Sequence, residues 1–258
     1  MTKFSLKNKT AIITGGGSGI GKAISLTFSS QGAKVHILDF NLEAAQETVK
    51  EINNTGERAE AHKCDVSNQK NVNEIINKIT KNDKIDILVN NAGIAHVGNI
   101  EAVNESDLDR LYDVNIKGVY NCIKASIPSM KNGGGVILNL ASIASVVGIS
   151  DRFAYSMTKG AVLTMTYSIA KDYINEDIRC NCIAPGRVHT PFVDGFIKKN
   201  YPGKEEEMFE KLSKTQPIGR MGNTQEIADL VLFLCSDEAK FITGSNYPID
   251  GGFITLNG

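Results

Sequence analysis

The 258 residues are 41% hydrophobic and 22% charged, with a formal net charge of −1 at pH 7. That is the balance of an ordinary globular chain, long enough for one large α/β core, and it offers no basic footprint for a nucleic-acid backbone. Cys64, Cys122, Cys180, Cys182 and Cys235 form no CxxC pair, and no His or Cys follows them at a zinc-ligand spacing. No metal is therefore read, and buried thiols in a reducing cytoplasm are expected. Residues 1–9 lack the apolar stretch of a secretory signal, and no run nears the roughly 20 apolar residues of a membrane span, so no membrane partner is expected.

Short apolar runs alternate with helical patterns along the whole chain. Thr10–Thr14 reads as a strand, followed by a glycine-rich turn and a helix to about Ser30. Lys34–Asp39 is the next strand, and Asn41 caps a helix whose Leu42, Ala45, Val49 and Ile52 recur at helical spacing. A strand over 59–64, a helix over 72–79 and a strand over 85–89 follow. A long helix is expected over 106–130, a strand over Gly135–Leu140, and a second long helix over 153–173. The strand 178–183 is closed by Pro185-Gly186; segment 189–216 reads as polar and irregular with helical pieces. Thr224 caps a helix to about Leu234, and Asn246–Ile249 is a last strand before Asp250-Gly251-Gly252. Such alternation implies a single α/β domain, 1–258, with a doubly wound parallel sheet. Ligands then sit outside the carboxyl ends of the strands.

The polar motifs fall at those ends. Gly15, Ser18, Gly19, Ile20 and Gly21 lie between the first strand and the first helix. Glycines there permit positive φ and let backbone N–H groups approach a pyrophosphate, which the helix N-terminus attracts. Asp39 ends the second strand, 18 residues after Gly21, where a carboxylate accepts bonds from ribose hydroxyls and repels a 2′-phosphate. No Arg or Lys follows at positions 40 or 41, so NAD is expected over NADP. Asp65 and Val66 end the third strand and are assigned to the adenine edge; Asn91, Ala92 and Gly93 end the fourth and supply small residues beside the cofactor.

Ser142 follows the fifth strand, and Tyr155 and Lys159 lie four apart on the next helix. Four residues advance a helix by about 6 Å and leave both side chains on one face. A tyrosine of pKa about 10 is a poor base at neutral pH, and a neighbouring ammonium favours its phenolate. Ser142 can hold a substrate oxygen, and Asn115, in the preceding helix, a water linking Lys159 to solvent.

These motifs, Thr14-Gly-Gly-Gly-Ser-Gly-Ile-Gly21, Asn90-Asn-Ala-Gly93, Asn115, Ser142, Tyr155-Ser-Met-Thr-Lys159 and Pro185-Gly-Arg-Val-His-Thr190, occur in that order. On them the sequence resembles the short-chain dehydrogenase/reductase family over essentially its whole length. The resemblance implies a single-domain Rossmann fold with strand order 3-2-1-4-5-6-7 and a homotetramer. It makes Tyr155 the acid/base and has Lys159 orient the ribose and lower the tyrosine pKa. Ser142 positions substrate, and Asn115 anchors a relay water. Pro185, Gly186, Val188 and Thr190 then belong to the nicotinamide site.

Segment 189–216 follows that site and is read as the substrate lid. Ala95, His96, Ile143, Ser145, Arg152, Val188, Phe192 and Phe196 can face the substrate. Arg152 lies three residues before Tyr155, and its planar fork of donors suits a carboxylate; the alternative is an ion pair with Asp151 or Glu176. The stretch 151–155, with 178–182 and 217–220, is similar to cytosolic type-2 3-hydroxybutyrate dehydrogenases and 2-keto-3-deoxy-L-fuconate 4-dehydrogenases. Both act on small carboxylates, which implies that Arg152 and Arg220 bind the acid. Arg187 either approaches the pyrophosphate or is solvated. Three readings follow: an NAD-dependent dehydrogenase of a hydroxy acid or deoxy sugar acid, a dehydrogenase of neutral sugars, and an NAD-sensing protein without turnover.

Overall fold

The run Thr10–Thr14 (β1) is buried at every residue, the pattern of a parallel strand covered on both faces. It sits at the middle of the sheet in a computed structural model that describes residues 3–256; the two residues at each end of the 1–258 domain lie outside the described residues. From β1 the chain enters α1 (Gly19–Ser30), β2 (Lys34–Asp39), α2 (Leu42–Asn53), β3 (Ala59–Lys63), α3 (Gln69–Ile79) and β4 (Ile87–Asn90). Then come α4 (Glu105–Leu111), a π-helical turn (Tyr112–Lys117), α5 (Gly118–Met130), β5 (Gly135–Leu140), α6 (Phe153–Asp172) and β6 (Ile178–Pro185). The last elements are α7 (Pro191–Asn200), α8 (Glu205–Ser213), α9 (Thr224–Cys235), β7 (Asn246–Ile249) and a final turn, α10 (Phe253–Leu256).

The seven strands are ordered β3-β2-β1-β4-β5-β6-β7, and all pairs are parallel. The chain therefore reverses its direction of winding between β1 and β4, and a crevice opens there at the carboxyl ends. Alternation along each strand splits the core in two. Ile13, Val35 and Ile37 pack with residues of α1 and α9 on one face; Ile12, Leu38 and Leu88 pack with α3, α5 and α6 on the other. All five cysteines are buried free thiols. Among the described residues no helix is long and apolar enough to cross a membrane.

Three expected elements differ. The helix expected over 106–130 is present without a gap from Glu105 to Met130, but its middle turn, Tyr112–Lys117, is π-helical and shifts the phase at Asn115. The helical pieces expected in segment 189–216 are two helices, α7 and α8, that leave little of it irregular; Thr190 caps α7 by accepting from the Val193 amide, and Pro191 stands at its first position, where its missing N–H costs nothing. The cap of α9 is Asn223 rather than Thr224. Asn223 accepts from the Glu226 amide at 2.9 Å and the Glu226 carboxylate accepts from the Asn223 amide at 2.8 Å, a closed capping box. The parallel register of β2 and β3 also brings His36, Glu60 and His62 together, a proximity that spacing along the sequence does not show.

Candidate active site

The turn between β1 and α1 is built for an anion. Gly15 and Gly19 have φ of +65° and +52°, which only glycine adopts without strain. A Cβ on Gly21 would collide with the Gly15 carbonyl, so helix and turn close on one another only with glycine there. Ser18 is exposed, and its side chain does not cap α1. The first turn of α1 also carries no acidic residue, so its amides stay available for a pyrophosphate. Asp39 ends β2 beside this turn, its carboxylate oriented by the Gly17 and Asn41 amides at 2.9 Å each. Thr14 Oγ1 accepts from the Asn91 and Ala92 amides at 3.0 Å, and Asn91 Nδ2 donates to the carbonyls of Thr14 (2.9 Å) and Gly15 (3.1 Å). The ends of β1 and β4 are thereby locked together. These features fit a dinucleotide cofactor.

A cleft of about 350 Å³ opens at the same end. Ser142, Tyr155 and Lys159 meet in it. The Ser142 hydroxyl accepts from the Ala144 amide at 3.2 Å and lies close enough to Tyr155 to favour its ionised form. Lys159 is buried, stands 5.8 Å from the centre of the Tyr155 ring and donates to the Leu140 carbonyl at 2.7 Å. Burial pushes the Lys159 ammonium down to about 8. Burial also raises the Tyr155 hydroxyl above its ordinary value, opposed by the Ser142 hydroxyl and then by the charge of Arg152. Arg152 is thus a second cation that favours the phenolate, besides Lys159 5.8 Å from the ring.

Asn115 is almost fully buried behind these groups. Its Oδ1 accepts from the Ile94 amide (2.8 Å), and its Nδ2 donates to the Ile94 carbonyl (2.9 Å) and Thr158 Oγ1 (3.0 Å). The side chain fixes the β4 loop to α6 instead of reaching into the cleft. A π turn at such a place is a frequent mark of a functional site.

A family model described as enoyl-(acyl carrier protein) reductase matches residues 15–254. The chain belongs to the short-chain dehydrogenase/reductase family. An oxidoreductase of Thermotoga maritima is 40% identical over 251 residues, covering 96% of this chain and 98% of its own. Cyclohexanol dehydrogenase of Acinetobacter sp. is 37% identical, covering 95% of each chain. The L-sorbose reductase of Gluconobacter frateurii, solved with NADPH and L-sorbose, superimposes with a TM-score of 0.94 at 27% identity, covering 99% of this chain and 100% of that one. As a short-chain dehydrogenase/reductase, this protein binds a nicotinamide cofactor and acts on an alcohol or ketone.

The cleft of this short-chain dehydrogenase/reductase gathers many of the residues read from sequence. Ile20, Asn91 and Gly93 line it, as do Pro185, Gly186, Val188 and Thr190. Ala95, Ile143, Arg152 and Phe192 line its substrate side. Other expected residues lie elsewhere. The Asp65 carboxylate accepts from the Ser67 amide (3.0 Å) and hydroxyl (2.6 Å) within its own loop, and Val66 is buried. His96 does not line the cleft; its Nε2 stands 3.5 Å from Asp107. Ser145 and Phe196 are also absent from the lining, Phe196 standing edge-on to Tyr201. Arg220 does not bind in the cleft, because Glu226 holds it in a bidentate pair at 2.6 and 2.9 Å.

Arg152 lines the cleft and its Nη1 donates to the Asp151 carbonyl (2.9 Å); no ion pair with Asp151 or Glu176 is found, and Glu176 pairs with Lys131. Sequence reasoning left Arg187 open and missed Gln216 and Phe253, which all line the cleft. Gln216 arrives from the end of α8 and Phe253 from beyond β7, and no local spacing marks either.

Proposed function

We propose that this protein is an NAD-dependent dehydrogenase of a small hydroxy acid or deoxy sugar acid, of the 2-keto-3-deoxy-L-fuconate kind, working in the cytoplasm. The charge of the cleft carries the acid reading. Arg152, Lys159 and Arg187 line it and, among the described residues, no Asp or Glu does. Arg187 is desolvated, and the charge it feels is that of Arg152, of like sign; both effects depress its pKa. Its side-chain contact is a long 3.4 Å bond to Thr215. A guanidinium withdrawn from water with no carboxylate partner is costly unless a ligand supplies the anion. For the cofactor, the Asp39 carboxylate beside the glycine turn supports NAD, since it would repel a 2′-phosphate.

A nicotinamide held by the glycine turn, Pro185, Gly186, Val188 and Thr190 would supply the hydride acceptor for the alcohol carbon. The protein handles the proton. Tyr155 Oη accepts it from the substrate hydroxyl, while Ser142 Oγ holds the same oxygen in line. Lys159, with its ammonium brought down to about 8, can gain or lose a proton near neutral pH and so reset Tyr155. Arg152 orients the carboxylate and favours the phenolate. The lid, α7 and α8, contributes Phe192 and Val193 over the site and excludes water.

The likeness to L-sorbose reductase favours a second reading, a neutral sugar substrate. Sensing without turnover is disfavoured, because Ser142, Tyr155 and Lys159 converge in one cleft. A homotetramer belongs to the same proposal: Tyr120, Ile127, Met165 and Tyr173 line a groove between α5 and α6 that a second copy would cover, and light scattering should give the mass of four chains.

Initial rates with NAD and NADP over paired acids and neutral sugars test the reading. Acids with NAD should be preferred. Losing a charge-assisted contact of about 1.5–3 kcal/mol, Arg152→Ala should raise KM for the acid by about tenfold or more and leave KM for neutral substrates unchanged, while the weaker support of the Tyr155 phenolate lowers kcat for both. An unchanged KM on every acid would end the acid reading.

A further inference from the structure

The parallel pairing of β2 and β3 sets His36 opposite Glu60 and Leu38 opposite His62. Alternation along the strands puts His36, Glu60 and His62 on one face of the sheet. Their ligand atoms all lie within 4.8 Å of one another. His36 Nδ1 and His62 Nε2 are 3.0 Å apart, and both rings are buried. On the far side of His36, Asp83 Oδ2 stands 3.6 Å from Nε2, beyond hydrogen-bond length, so that nitrogen is buried without a partner. Lys34 bridges Asp83 (2.7 Å) and Glu60 (3.2 Å).

Proton placement decides what this cluster can do. Two ring nitrogens 3.0 Å apart can share only one hydrogen between them, so one donates and the other accepts. A proton on His36 Nδ1 would turn the lone pair of Nε2 toward the Asp83 carboxylate, like charge against like. A proton on His62 Nε2 leaves His36 Nε2–H facing Asp83, which is attractive. In that arrangement His36 Nδ1 is an acceptor aimed at the point where the shared proton sits, and a cation can take that point.

We propose that His36 Nδ1, His62 Nε2 and the Glu60 carboxylate form a binding site for a divalent transition metal of zinc type. Two imidazoles and a carboxylate are a borderline donor set that suits zinc, with water as the fourth ligand. On binding, the His62 proton moves from Nε2 to Nδ1 of the same ring, so both rings stay neutral. Asp83 then accepts from His36 Nε2, the carboxylate–imidazole–metal relation that fixes a ligand's tautomer and raises its basicity. Zinc–nitrogen bonds of about 2.0–2.1 Å at a tetrahedral angle separate two nitrogens by about 3.3–3.4 Å, so the rings must part by a few tenths of an ångström. Glu60 is exposed and free to swing. Two cations oppose the ion: Lys34, which must release Glu60 while keeping Asp83, and Lys78, whose charge acts on His62. None of these residues lines the catalytic cleft, so the ion would brace the β2–β3 edge of the sheet and take no part in the reaction.

Calorimetric titration of the chelator-treated full chain with Zn2+ should show one saturable equivalent and a raised melting temperature. Co2+ should develop the visible absorption of four-coordinate nitrogen and oxygen ligation. Glu60→Gln, an exposed change, and His62→Gln should each weaken binding by about tenfold or more while NADH binding is kept. His189→Gln, at the exposed His189–Asp194 pair, should change nothing. No saturable binding by the wild type, or equal affinity in Glu60→Gln, overturns the proposal. Should His62→Gln fail to fold, Glu60→Gln decides alone.

Discussion

Tyr155 meets two opposing influences, and their balance sets the chemistry. Burial holds the hydroxyl protonated, while Ser142 and Arg152 favour its ionised form. Tyr155→Phe removes the proton acceptor and leaves the ring's shape, so kcat should fall by about a hundred- to ten-thousandfold with NADH affinity retained. Stopped-flow turnover and fluorescence titration of NADH on the same variant check both halves, and retained turnover would remove Tyr155 from the mechanism. At this scale the sequence was informative where spacing encodes geometry. Tyr155 and Lys159 share a helix face, and Gly15, Gly19 and Gly21 mark a turn, whatever the rest of the chain does. It was silent where tertiary contacts decide. Arg220 and Arg152 are both guanidiniums to which the family resemblance gives the same acid-binding role, yet one is claimed by Glu226 and the other faces the cleft. Nothing local separates them.

Among the elements, the π turn Tyr112–Lys117 has the largest consequence. The apolar pattern over 106–130 continues through it, so the sequence reads as one helix; the π turn carries Asn115, whose bonds with Ile94 and Thr158 no pattern within the segment contains. The capping of α2 by Asn41 was legible because a cap and its partner lie within one turn, as the bond to the Ala44 amide shows. Helical pieces were legible in 189–216, but the bounds of α7 and α8 were not, since their polar surfaces mask the few residues, such as Ile197, that anchor them. Asn115→Ala should orphan the amide and carbonyl of Ile94 together. With unsatisfied buried groups costing about 1–3 kcal/mol each, a clear drop in denaturation midpoint is expected. Because the turn backs the Lys159 region, kcat should fall more than KM rises. A variant as stable as wild type would mean that water replaces the amide.

For the molecule as a whole, the buried ammonium of Lys159 ties folding to pH. Its pKa is about 8 in the fold against the ordinary lysine value of 10.5. Below pH 8 both folded and unfolded chains carry the proton, and the fold bears the full cost of the buried charge. Between about 8 and 10.5 the unfolded chain binds more protons than the folded one, so this group's contribution to stability rises with pH. Above that window both forms are neutral and the contribution is level. The buried cysteines act in the opposite sense: their thiols are raised, to about 12 for Cys64 and about 11 for Cys182, so the unfolded chain loses protons first as pH rises through the thiol range. Wild-type stability alone therefore mixes the two, and only a difference isolates the lysine. Lys159→Met keeps the length of the side chain and removes the charge. Urea denaturation should find the variant more stable than wild type below pH 8, by up to about 3 kcal/mol for a shift of this size. That advantage should shrink steadily between pH 8 and 10.5, while catalysis is lost at every pH. A stability difference that stays flat across the window would mean that Lys159 keeps its proton in the folded chain, and that the proton reset assigned to it belongs to another group.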